Sequence, residues 1–208
     1  MYTWLDTDTW YRRQQYEFFR QYEMPFFNMT SLVDVTRLRA RSAAEGSSFF
    51  LLSLHASLQA AQEIEPFRYR IEGDRVVVYE VIHAGSTILH EDQSFGFCYF
   101  PYEADAEAFC AAGVRRIAVQ QAHRHLDPHL GQQDIIHYSV IPWIHFSSFQ
   151  HARRLGKDDS IPKIVFGQYQ RDPAGRYMMP VSVEVHHALA DGLHVGQYLA
   201  RFQALLDV

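Results

Sequence analysis

The chain has 208 residues, 48% of them hydrophobic and 14% aromatic, with a formal net charge of −5. That length suits one domain, residues 1–208, with a substantial core, and the apolar content excludes a disordered polymer. The negative balance argues against a nucleic-acid surface, and no apolar run approaches the ~18–20 residues of a bilayer span.

The opening MYTWLDTDTW shows no basic region followed by an apolar one, so a cytoplasmic address is expected. Cys98 and Cys110 form neither a metal-ligand pattern nor a disulfide framework and read as buried free thiols. Lys157 and Lys163 are the only lysines, so an anionic ligand has to be met mostly by arginine or backbone N–H groups.

Asp8 or Thr9 can cap a first helix from about Trp10 to Tyr22, closed by Pro25. Phe27 to Val35 alternates as a strand does, and Thr36 can N-cap a short helix that ends near Gly46. A longer helix, Ser48 to Ile64, stops before Pro66. Glu72-Gly73-Asp74 turns a hairpin between FRYRI and RVVVYEVI. Short strands follow near Thr87–Leu89 and Phe95–Tyr99, then a helix from Glu103 to Gln121 that Gly113 weakens by up to about 1 kcal/mol.

A polar loop leads into an apolar strand, Ile135–Phe146, and Asp172-Pro173-Ala174-Gly175 joins strands at Ile164–Gln170 and Met178–His186. The last helix, Leu193 to Leu206, carries Val195, Leu199, Phe202 and Leu206 on one stripe. Helices and strands mix without βαβ alternation, which predicts an α/β two-layer sandwich: a mixed sheet covered by helices.

The informative stretch is Val181-Ser-Val-Glu-Val-His-His-Ala-Leu-Ala-Asp-Gly192. With a period of two, Val181, Val183, Val185 and His187 share a face, while Ser182, Glu184 and His186 share the other. His187 thus emerges where a buried row ends at a turn. Partial desolvation there favours an uncharged imidazole, which can act as a base.

The pattern HHALADG resembles the HHxxxDG signature of chloramphenicol acetyltransferases. The blocks WYRRQQYEFF, IPWIHFSSF and IPKIVFGQY stand at the order and approximate spacing that this family shows, so the resemblance covers essentially the whole chain. It implies a coenzyme A-dependent acyltransferase fold and direct transfer of acetyl from acetyl-CoA to a hydroxyl of chloramphenicol or a similar acceptor, with no acyl-enzyme.

By the same resemblance, His187 is the general base and Ser148 donates to the oxyanion. Asp191 pairs with Arg12 and holds the turn. Phe19, Phe27 and Phe95 line the acceptor pocket, and Tyr169 lies on the coenzyme side. A homotrimer with sites between subunits is implied, and no metal. Two positions depart from the family: Val165 stands where a threonine hydroxyl is common, and Gln168 where a lysine is common. His123, His125 and His129 have a spacing that could bind a transition metal, although a solvated loop is the simpler reading.

Overall fold

The computed structural model of the chain describes residues 1–129, 131–153 and 159–208, and Lys157 lies outside them. The elements run β1 (Tyr2–Trp4), α1 (Arg13–Phe19), β2 (Phe26–Asp34), α2 (Thr36–Glu45), α3 (Phe49–Glu63), β3 (Tyr69–Glu72), β4 (Arg75–Tyr79), β5 (His83–Leu89), β6 (Phe95–Phe100), α4 (Ala106–His123), β7 (Ile135–Ile141), β8 (Lys163–Gly167), β9 (Gln170–Arg171), β10 (Tyr177–His186) and α5 (Gly192–Leu206). The larger sheet has the order β2-β10-β8-β7-β5-β6, with β9 also paired to β10. Its β8–β7 and β7–β5 pairs are parallel and the rest antiparallel, so the sheet is mixed as predicted.

Helices α2 to α5 supply one side of the main core. Leu51, Leu54 and Leu58 of α3, with Val195, Tyr198 and Phe202 of α5, pack among Val181, Val183 and Val185 of β10 and Ile164 and Phe166 of β8. Each fully buried aliphatic or aromatic side chain contributes about 1.5–3 kcal/mol. The Ser57 hydroxyl lies 3.0 Å from that of Tyr138 and 2.5 Å from that of Tyr198, so three buried hydroxyls satisfy one another. A Cβ on Gly113 would stand 2.6 Å from the Leu51 side chain. Close contact between α3 and α4 therefore explains a glycine that helix propensity disfavours.

A smaller sheet, ordered β1-β4-β3, forms around the Gly73 turn, where φ is 60°. Tyr69, Ile71 and Val76 of this sheet join Trp10, Tyr16, Ala188 and Leu189 in a second, separate core. Beside it, Arg70 is fully buried and donates to the carbonyls of Phe67, Tyr69, Gln133 and Ile135. Burial pushes its pKa down to about 9.

Several boundaries differ from the sequence-based expectation. The first helix is shorter, and Arg12, not Asp8 or Thr9, occupies its N-cap without a side-chain bond. The Asp6 carboxylate instead accepts from the Asp8 N–H and the Thr9 hydroxyl, closing a separate turn. Val35 takes the N-cap of α2, because the Thr36 hydroxyl is engaged by the Tyr177 N–H. Strand β7 ends at Ile141, before Pro142, whose missing N–H cannot continue a ladder. Strand β1 was not expected. Of the two cysteines, both free, Cys98 is buried and Cys110 only partly so.

Alternation in β10 predicted one buried face, yet Ser182, Glu184 and His186 are buried as well. The strand runs between β2 and β8, and its Glu184 is covered by Arg153 from the segment that precedes β8.

Candidate active site

Strand β10 delivers His187 one residue past its end. The His187 N–H donates to the Pro25 carbonyl at 2.8 Å, which prolongs the pairing with the β2 side by one step. Its ring stacks on Phe19, with centroids 3.8 Å apart and planes 8° apart, and packs against Phe27 at 4.8 Å. Val185 faces Phe27 in the register, so the row predicted from alternation does bring these groups together. Nδ1 of His187 is buried and has no hydrogen-bond partner among the described residues.

The turn after it is braced from several sides. The N–H groups of Leu189 and Ala190 both donate to the His186 carbonyl. Asp191 caps α5, accepting from the Leu193 N–H at 3.0 Å, while Nδ1 of His194 accepts from the Asp191 N–H at 3.1 Å. The other carboxylate oxygen of Asp191 accepts from Arg12, whose second amino group reaches the His187 carbonyl at 3.4 Å. Burial opposes ionisation of Asp191, but Arg12 and His194 outweigh it and hold the carboxyl below its usual range. One arginine thus ties the cap of α5 to the backbone of His187.

Ser148 lies elsewhere. It borders a cavity of about 490 Å³ with Ser147, Met24, Phe26, Asn28 and Glu184, and His187 is not among its walls. At that cavity Arg153 pairs with Glu184 at 2.5 Å and with Asp159 at 2.7 Å. His151, also on the cavity, has both ring nitrogens buried without a partner among the described residues, and burial lowers its pKa to about 4. Burial does the same to the neighbouring His186.

The remaining predicted residues divide. Phe19 and Phe27 touch His187. Phe95 does not join them: it is half exposed on β6, four strands from β10, or roughly 19 Å at the usual strand spacing. Tyr169 lines a second cavity with Gln168 and Phe49. Val165 is fully buried on β8, between Ser139 of β7 and Ser182 of β10, so two hydroxyl groups flank the position that lacks one. In the histidine loop, His129 stacks on Tyr99 at 3.7 Å and meets Gln132. Among the described residues no group of three potential metal ligands gathers there or elsewhere.

Sequence reasoning passed over Tyr11, whose hydroxyl stands 3.5 Å from Nε2 of His194. It also passed over the Arg153–Glu184 pair. A carboxylate inside a strand of valines was the available signal for the pair, since such a charge requires a partner when buried.

The family profile described as Chloramphenicol acetyltransferase matches residues 1–203. The chain belongs to the chloramphenicol acetyltransferase family. Chloramphenicol acetyltransferase 3 of Escherichia coli is 29% identical over 212 residues, covering 99% of this chain and 97% of that protein. A chloramphenicol acetyltransferase of Streptomyces acrimycini is 30% identical over 207 residues, covering 97% of this chain and 93% of the other. A solved chloramphenicol acetyltransferase structure superposes with a TM-score of 0.90 at 31% identity, covering 99% of this chain and all of that one. Membership of the chloramphenicol acetyltransferase family makes the chain an acyltransferase with the mixed-sheet fold described above.

Proposed function

We propose that the chain transfers the acetyl group of acetyl-CoA directly to a hydroxyl of chloramphenicol, with His187 as general base. The observation that carries this reading is the clamped end of β10: an imidazole stacked on Phe19, its Nδ1 enclosed, with its backbone carbonyl tied through Arg12 to Asp191. Enclosure of Nδ1 leaves Nε2 to take the proton. The acceptor oxygen attacks the thioester carbonyl, the tetrahedral oxyanion collapses, and the coenzyme thiolate leaves with a proton from the imidazolium. In this reading Ser148 donates to the oxyanion, and Phe19, Phe27 and Phe95 form apolar walls for the acceptor ring.

Within one copy His187 lies outside the Ser148 cavity, and Phe95 is four strands from β10. A site that uses all of these groups has to be built between copies, which supports the homotrimer. We place the enzyme in the cytoplasm, where its two free cysteines suit a reducing compartment. A second reading keeps the chemistry but changes the acceptor, and Val165 favours it. That buried valine offers no hydroxyl where the family commonly has a threonine, and of the two flanking serines Ser182 is already bonded to the Asn28 side chain.

The test is release of free thiol from acetyl-CoA with and without chloramphenicol. Release that needs chloramphenicol, and that falls by about 10²–10⁴ in His187→Ala, is expected. Release only with other alcohols selects the second reading, and release from neither overturns both.

A further inference from the structure

A cavity of about 360 Å³ opens between the start of α3 and the loop joining β8 to β9. Phe49, Phe50, Val140, Phe166 and Tyr169 form much of its wall, and no charged side chain among the described residues lines it. Such walls suit the flat base or the apolar arm of a nucleotide thioester but offer nothing to its phosphates.

The charge stands at the rim. Tyr169 packs edge-on against Phe49 at 5.2 Å and against Tyr177 at 5.7 Å. Over these two tyrosines lies Arg39 of α2, its guanidinium carbon 4.3 Å from the Tyr177 ring centre and 5.9 Å from that of Tyr169. Its neighbours on α2 are occupied: Arg37 donates to the Asp207 carbonyl and Arg41 pairs with Glu45. Arg39 has no carboxylate partner among the described residues. A guanidinium lying over aromatic rings keeps its N–H fork for an anion, because stacking uses the face and hydrogen bonding the edge. The first turn of α3, which adds a positive helix end, supplies Phe49 and Phe50 to the same cavity.

We infer that Arg39 binds the 3′-phosphate of the acyl donor, at the rim of a cavity whose own wall carries an uncharged Gln168. A terminal phosphomonoester presents three free oxygens to a bidentate fork, more than either group of a diphosphate can. The inference rests on the acyl-donor reading above.

The experiment is a calorimetric titration of the full chain with coenzyme A and with 3′-dephospho-coenzyme A. The wild type is expected to bind coenzyme A at least about tenfold more tightly. Arg39→Gln should remove that preference by weakening coenzyme A alone, and Arg39→Lys should keep part of it. Equal affinity of the wild type for both ligands overturns the inference while leaving the donor reading standing. So does a variant that weakens both alike, or one that keeps the full preference. Failure of the wild type to bind either ligand overturns the donor reading itself, and the inference with it.

Discussion

His187 and Ser148 occupy contrasting surroundings. The imidazole is pinned between two phenylalanines at the end of a strand, so its orientation is set by packing. Ser148 lies on a cavity wall beside Ser147. If Ser148 stabilises the oxyanion, Ser148→Ala should lower kcat by about 10²–10³ while KM for both substrates changes little, as steady-state kinetics would show. A loss below about fivefold would remove it from that role and turn attention to Ser147 on the same wall. Alternation and a following Gly-containing turn, both local signals, placed His187 at the end of a buried row, and the resemblance of HHALADG to the family signature singled it out as the base. Neither gave a direct sign of the stacking on Phe19, which depends on a contact between residues far apart in the chain. The resemblance puts Phe95 in the same pocket as Phe19 and Phe27, and distance across the sheet separates them within one copy.

At the level of elements, the cap of α5 does two jobs through one carboxylate. Asp191 accepts from the helix N–H of Leu193 and also pairs with Arg12. The two functions can be separated by mutation, since asparagine caps a helix as well as aspartate does but cannot form the ion pair. Asp191→Asn is therefore expected to lose about 1–2 kcal/mol, because the carboxylate keeps partial contact with water. Asp191→Ala should lose about 1 kcal/mol more. Urea denaturation of both variants measures the difference; equal losses would mean that the cap contributes nothing.

Most elements were legible from sequence because their ends carry local punctuation: Gly46, Ser48, Gly73 and the Asp172–Gly175 turn all sit where expected. The failures came where a long-range partner takes over a local role. The Thr36 hydroxyl accepts from the Tyr177 N–H, and Arg12 commits its side chain to Asp191 instead of the helix that it precedes.

Across the whole molecule, the second face of the large sheet decides how stability responds to acid. His137, His151 and His186 are each depressed by burial to about 4, below the ordinary histidine range. Between pH 6.5 and about 4 the unfolded chain therefore binds protons that the folded chain refuses, so stability is complete above that window and falls as pH drops through it. Each imidazole adds a slope of up to about 1.4 kcal/mol per pH unit. Denaturant midpoints recorded from pH 7 to pH 4 should fall steadily, and less steeply in His186→Gln; an unchanged slope in that variant would assign the sensitivity elsewhere. The layered architecture was readable in the order of helices and strands. The filling of the second face was not, because a polar row in a strand reads as solvent-facing until the segment that covers it is seen.

The bond between Arg12 and Asp191 joins residues 179 positions apart. During translation, then, the arginine waits for all the intervening residues before its counter-charge is made. The reactive corner cannot close until α1 to α4 and β1 to β10 have been synthesised, because Asp191 follows every one of them.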